Sequence, residues 1–298
     1  MIQPEYKCRK YNTQYGICIN DKCENAIKKY LLPNYKNRIQ LIFTSPPFPL
    51  NRAKKYGNLS GQEYKDWLCE IGKSLIPLLS DSGSVVIEVG NAWNPGEPTF
   101  STLPIETLLE FKQKCDLHLC QEFIYFNPAR LPGPIEWVNK QRIRVKDSFT
   151  RLWWMSKSTT PYADNSMVLE EYSKQMERLL ETGKYNFGKR PSEHNISKTA
   201  FGKNNGGSIP ANVIIAPNTD SKTKYLMKCK EKSIPIHPAR MPLQIPRFFI
   251  KMLTKPDDIV LDCFAGSNTT GFCAEELMRH WVSIEVDKDY YMGSKFRF

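Results

Sequence analysis

Apolar residues recur along this chain with two alternating periods. Ile39–Thr44 is an almost unbroken apolar run, as expected of a strand buried on both faces. Over residues 62–79 the period lengthens to that of a helix, with Trp67, Leu68, Ile71, Leu75 and Leu78 on one face. The turn residues Asp81, Ser82 and Gly83 then lead into a second apolar run at 84–89. The same reasoning predicts strands at 15–20, His118–Phe126 and 149–155, and helices at 21–32 and 103–115. A final block predicts a helix at 243–253, a strand at 258–263, a helix at 272–278, a strand at 281–286 and a last helix from Lys288 onward. Strand and helix alternating in this way predict an α/β fold, doubly wound around a mostly parallel sheet.

Residues 157–236 interrupt the pattern. They are rich in Lys, Asn, Ser and Gly, include Gly202-Lys203-Asn204-Asn205-Gly206-Gly207, and show little periodicity. A stretch of this length is more often a functional insertion or small subdomain than a structureless loop. Tyr172, Tyr185, Phe187, Phe201 and Tyr225 are interleaved with its basic residues, a mix suited to nucleic-acid contacts.

Composition narrows the class. The 298 residues can bury one large core with an insertion, and 41% hydrophobic against 24% charged residues excludes a disordered chain. The formal charge of +11 favours a polyanionic partner, because cationic side chains gain by releasing the counterions of phosphates. The nine cysteines are odd in number and include no Cys-x-x-Cys pair, so reduced and mostly buried thiols are expected. The N-terminus lacks an apolar leader and no run is long enough to span a bilayer, so a cytoplasmic protein without membrane attachment is expected.

Two places carry chemistry. After the strand at 258–263 comes Phe264-Ala265-Gly266-Ser267-Asn268-Thr269-Thr270-Gly271, a small-residue turn that lets a ligand approach the backbone at a helix N-terminus. The next strand ends in Glu285, placed to accept hydrogen bonds from both hydroxyls of a ribose. A nucleoside site of this kind draws on a third strand, and none follows. The strand at 15–20 can supply it, ending in Asp21, which either accepts from an adenine amino group or caps the next helix, or does both. The sheet is thus expected to be circularly permuted, its cofactor site assembled from both ends of the chain.

The second place is Thr44-Ser45-Pro46-Pro47-Phe48, directly after a buried strand. Two prolines stiffen the backbone and remove two N–H donors, leaving carbonyl oxygens and the Ser45 hydroxyl as acceptors. That suits an amino group that must shed protons, while Phe48 offers a ring on which a flipped base can stack. A cytosine-C5 mechanism would need a nucleophilic cysteine, usually after proline, and no Pro-Cys dipeptide occurs. Metal-assisted deamination would need a His/Cys cluster, which is absent from the sequence. Hydride transfer would leave Ser45–Phe48 unexplained.

Together these motifs resemble the amino-group DNA methyltransferases, in particular the permuted beta class and its cytosine-N4-specific members from restriction–modification systems. Ser45-Pro46-Pro47-Phe48 resembles the family's catalytic motif. Asp262 through Gly271 resembles its methionine-binding motif, with Asn268 where a second glycine is common. His237-Pro238-Ala239-Arg240 resembles the segment before that motif, and Glu285 the ribose-binding acid. Arg190-Pro191-Ser192-Glu193-His194 and Gly206-Gly207-Ser208-Ile209-Pro210 resemble segments of the variable region. The resemblance implies a seven-stranded methyltransferase sheet divided into a catalytic part (1–156), a target-recognition region (157–236) and an S-adenosylmethionine-binding part (237–298). It implies catalytic roles for Ser45, Pro46, Pro47 and Phe48. It implies cofactor contacts from Asp21, Thr44, His237, Pro238, Arg240, Asp262, Phe264, Ala265, Gly266, Ser267, Asn268, Thr269, Thr270, Glu285 and Val286. The implied reaction is metal-free transfer of a methyl group from S-adenosylmethionine to N4 of cytosine in double-stranded DNA. Adenine-N6 transfer and an inactive DNA-binding protein are the alternatives. The implied setting is a prokaryotic, nucleoid-associated monomer or homodimer paired with a restriction endonuclease. DNA contacts are further expected from the basic loop Arg52-Ala53-Lys54-Lys55-Tyr56-Gly57-Asn58.

Overall fold

A computed structural model of the chain describes residues 7–48, 59, 61–184, 187–197, 202–219 and 221–298. The basic loop at 52–58 and the aromatic residues Tyr185 and Phe201 lie outside these residues. The chain forms two compact units, one from Met1–Ala163 with Asn212–Phe298 and the other from Asp164–Ala211.

The larger unit opens with β1 (Arg9–Asn12), β2 (Gly16–Asn20) and α1 (Cys23–Ala26), which continues through a π-turn at Ile27–Leu31 into α2 (Leu32–Tyr35). There follow β3 (Ile39–Thr44), α3 (Gly61–Leu75), β4 (Leu79–Gly90), α4 (Leu103–Lys114), β5 (His118–Phe126) and β6 (Phe149–Ser156). The smaller unit holds α5 (Lys174–Thr182), a short hairpin of Gly188–Lys189 with Asn195–Ile196, and a bridge between Glu170 and Ser208. The chain returns to the larger unit with β7 (Val213–Ile215), α6 (Lys224–Glu231), α7 (Gln244–Leu253), β8 (Ile259–Asp262), α8 (Thr269–Glu276), β9 (His280–Glu285) and α9 (Lys288–Ser294).

The main sheet runs β1-β2-β9-β8-β3-β4-β6-β5-β7. Its seven inner strands are those expected, and two edge strands extend it: β1, antiparallel to β2, and β7, parallel to β5. The run from β2 to β4 is parallel throughout, whereas β6 lies antiparallel between β4 and β5. Strands from the two ends of the chain lie side by side, with Ser283 of β9 opposite Cys18 of β2 and Leu261 of β8 opposite Ile42 of β3.

Both faces are covered because β3 is apolar on both. Ile42 joins Leu68, Ile71, Leu108 and Phe111 in one cluster with α3 and α4. Phe43 turns the other way, its ring centroid 5.6 Å from that of Phe249 on α7. Parallel strands with both faces buried place their carboxyl ends at one edge, which is where open α/β sheets bind ligands.

Residues 81–83, expected as a turn, belong to β4. Ile39 pairs with Leu79 and Leu41 with Ser84, so the polar residues between are accommodated in a bulge rather than ending the strand. The helix expected at 62–79 ends at Leu75, where Pro77 lies in a 3-10 turn and cannot supply the backbone donor that would prolong it. The smaller unit is narrower than the 157–236 interval, since β7 and α6 belong to the larger one. It is also nearly neutral, with seven Lys and Arg against six Asp and Glu, so the net positive charge resides elsewhere. All nine cysteines are free thiols. Among the described residues, no helix is long and apolar enough to cross a membrane, and no His, Cys, Asp and Glu group could hold a metal ion.

Candidate active site

A cavity of about 510 Å³ opens at the carboxyl edge of the sheet, within the usual range for small-molecule sites. The two motifs that stand more than 200 residues apart in sequence (about 262 minus 45) both line it.

At one end, Ser45, Pro46, Pro47 and Phe48 leave β3 along the cavity wall. The Ser45 hydroxyl lies near enough to the carboxylate of Glu88, on the neighbouring strand β4, to favour its charged form. Thr150 Oγ1 donates to the same carboxylate at 2.9 Å. Glu88 is buried, and burial raises its carboxyl above the ordinary range while the two hydroxyls and the charge of Arg130 pull it down. Phe48 lies so close to Gly90 that a Cβ there would stand 2.5 Å from its Cε2 atom. Gly90→Ala should therefore displace the Phe48 ring. If the ring stacks on the reacting base, the loss is about 1–3 kcal/mol, a roughly 5- to 150-fold fall in kcat/KM for DNA, with cofactor affinity unchanged by calorimetry.

The other end is built around two buried carboxylates. Asp262, at the end of β8, accepts hydrogen bonds from Thr44 Oγ1 (2.8 Å), Thr270 Oγ1 (2.7 Å) and the Phe264 N–H (3.1 Å). It ties the strand, the turn and α8 into one rigid corner. Glu285, at the end of β9, accepts from the Gly266 N–H at 2.6 Å and the Asp287 N–H at 2.8 Å. Burial pushes its carboxyl up to about 7, against the pull of those two N–H groups. Gly266 has φ +53°, and a Cβ there would stand 3.0 Å from His237 Nε2, so only glycine leaves this backbone open.

His237, Asp262, Phe264, Ala265, Gly266 and Ser267 all line the cavity. So do Thr269, Thr270, Glu285 and Val286. The remaining expected cofactor residues do not line it and act around it. Thr44 holds Asp262. Arg240 donates to the His237 carbonyl at 3.0 Å, and Pro238 lies between them. Asp21 Oδ1 accepts from Lys22 N–H and Asn25 Nδ2, but the N-cap of α1 is Lys22, so Asp21 does not cap the helix backbone, and the chain reaches the cavity at Lys22, Cys23 and Glu24 instead. Asn268 does take the left-handed conformation, with φ 56°. Its fully buried side chain caps α8 at Gly271, accepts from Ser283 and donates to Tyr11.

Several lining or supporting residues escaped the sequence reading. Glu88 is one. Tyr64 and Trp67 of α3 form an aromatic wall, with Trp67 5.6 Å from Phe264 and donating to Glu24 at 2.9 Å. Arg297 clamps the turn from outside the cavity, donating to the Ser267 carbonyl, Ser267 Oγ and Thr269 Oγ1. A lone glutamate inside the apolar 85–89 run of β4 was a legible warning, because a buried carboxylate needs partners. Nothing local marks Arg297, whose contacts come from the fold.

The DNA methylase family model, which covers N6 and N4 methyltransferases, matches residues 39–296. The chain belongs to this family. Among curated DNA methylases, the type II methyltransferase M.PvuII of Proteus hauseri is 45% identical over 262 residues, covering 87% of this chain and 78% of the relative. The type II methyltransferase M.BglII of Bacillus subtilis is 26% identical over 263 residues, 85% of this chain and 62% of the relative. Among solved structures, the PvuII DNA methyltransferase (cytosine-N4-specific) superposes with a TM-score of 0.77 at 36% identity, covering 97% of this chain and 88% of that one.

Proposed function

We propose that this DNA methylase transfers a methyl group from S-adenosylmethionine to N4 of cytosine at a specific word in double-stranded DNA, protecting it from a partner restriction endonuclease. The observation that carries this reading is the shared cavity: an acceptor-lined, proline-stiffened corner at Ser45 faces the glycine turn and ribose-type acid at Gly266 and Glu285. The relative solved as a cytosine-N4-specific enzyme supports the choice of base. The side-by-side strands from the two chain ends support a permuted reading of the methyltransferase sheet.

The residues present fit the cofactor. Glu285 spends one lone pair of each oxygen on backbone N–H groups and keeps capacity for two ribose hydroxyls. The open backbone at Gly266 and the N-terminus of α8 suit the methionine end. When bound, S-adenosylmethionine supplies a methyl group on a sulfonium, already a strong electrophile.

The chain's own residues align and deprotonate the amine. Phe48 gives the flipped base a stacking face. Ser45 donates its hydroxyl hydrogen to Glu88, which leaves its oxygen lone pairs free to accept from the amino group. As the nitrogen becomes tetrahedral, Ser45 takes its proton and passes its own to Glu88, whose burial raises its proton affinity. Within the 157–236 interval expected to recognise the target, the unit Asp164–Ala211, which carries Tyr172 and Phe187 and is nearly neutral, is the part we assign to target recognition.

The test is transfer of labelled methyl to plasmid DNA, followed by digestion to nucleosides. Label in N4-methyldeoxycytidine is expected. Label in N6-methyldeoxyadenosine would overturn the choice of base, and no label would overturn the enzymatic reading.

A further inference from the structure

We propose that Leu131 is the wedge that enters the DNA duplex as the target base leaves it. Residues 127–148 join β5 to β6 and so emerge at the same sheet edge as the cavity. The segment is fixed by its own hydrogen bonds. Asn127 N–H donates to the Ser148 carbonyl at 2.8 Å, and Lys146 Nζ donates to the carbonyls of Pro128 (3.1 Å) and Arg130 (3.2 Å). Leu131 is 83% exposed on this fixed segment, beside Ile135 (64%) and Ile143 (58%), so the segment presents apolar side chains to its surroundings.

Two observations point to DNA as what covers it. The segment carries five Lys and Arg against two Asp and Glu, a local excess that fits a polyanion. Its location is also tied to the reacting end of the cavity, because the charge of Arg130, one residue before Leu131, acts on Glu88. An apolar side chain on a segment that leaves the sheet at the same edge as a base pocket is suited to fill the gap that base flipping opens in the stack. Val145 is equally exposed, at 86%, but it lies on the returning limb, where Arg144 pairs with Asp147 at 3.1 Å and Lys146 holds the backbone. Val145 shares the segment and its exposure, but the residues beside it are not among the groups that act on Glu88, which makes it the matched control.

This inference rests on the reading of the cavity as a flipped-base pocket, and the experiment separates the two. The full chain is assayed on duplexes bearing its methylated word, with single-turnover transfer measured on matched DNA and on DNA mismatched at the target pair. Leu131→Ala should slow transfer about tenfold or more on matched DNA and recover to within about threefold of wild type on mismatched DNA, where flipping is cheaper. Fluorescence of 2-aminopurine at the target position should rise less than with wild type. Val145→Ala should match wild type. An unchanged rate for Leu131→Ala, or an equal loss on both duplexes, would overturn the wedge alone. Absence of transfer by the wild-type chain would overturn the pocket reading and the wedge with it.

Discussion

Ser45→Ala should slow methyl transfer roughly 30- to 150-fold while leaving cofactor and DNA affinity nearly unchanged. The hydroxyl's acceptor role strengthens as the amino nitrogen becomes tetrahedral and cationic, so its loss falls on the transition state rather than on binding. The magnitude is that of a hydrogen bond to a charged group, about 2–3 kcal/mol. Glu88→Gln should act through the same atoms. Its amide can still meet Thr150 and Ser45 but cannot take the proton that Ser45 passes on. The double variant should therefore cost little more than the worse single one, since partners in one relay are not additive. Single-turnover kinetics with separately measured binding distinguishes these patterns. Wild-type turnover by Ser45→Ala would remove the main support for a catalytic role of the Ser45–Phe48 corner. Additive losses would leave Glu88 as a packing residue.

That pair shows where sequence legibility ended. The Ser45 motif was readable because prolines after a buried strand constrain what the backbone can offer. Its partner was written only as one charged residue in an apolar strand, and pairing it with Ser45 required knowing that β3 and β4 are neighbours in register, Thr44 opposite Ile87. The seven inner strands followed from alternation, and the place of the N-terminal strand at the cofactor site from the need to complete a nucleoside site, whereas the order of the sheet came from the structure. The edge strands β1 and β7 did not, because short exposed strands owe their form to a partner rather than to a pattern of their own. The polar residues 81–83 misled for a related reason. Turn chemistry is local, and here the continuing ladder on both sides absorbs it as a bulge. Asn268 was legible as a backbone choice and not as a side chain, since its bonds to Ser283 and Tyr11 join segments from both ends of the chain.

Glu285 offers the other large effect, and its sign is testable by pH. Its carboxyl is pushed up from its ordinary 4.5 to about 7 by burial, so near neutrality the ligand-free protein holds it partly protonated. A raised folded value means that this group's stabilising contribution is fully present below about 4.5 and is lost as pH rises through about 7. Two ribose hydroxyls donating to the carboxylate favour its charged form, so cofactor binding should release a proton and tighten as pH rises through 7. Between pH 6 and pH 8 the gain should approach about tenfold, the limit set by a group titrating midway. Glu285→Gln should abolish that slope. The cofactor's own α-amino group titrates near the upper end of the range, but it does so with both proteins and cancels in the difference. Glu285→Ala should weaken binding further, by about 1.5–3 kcal/mol or roughly 10- to 150-fold, because two hydroxyls lose a charged acceptor. It also strips the Gly266 and Asp287 N–H groups of their partner and loosens the turn itself. Calorimetry across pH on wild type and both variants reads all three effects, and equal pH slopes for wild type and Glu285→Gln would remove Glu285 as the ribose ligand.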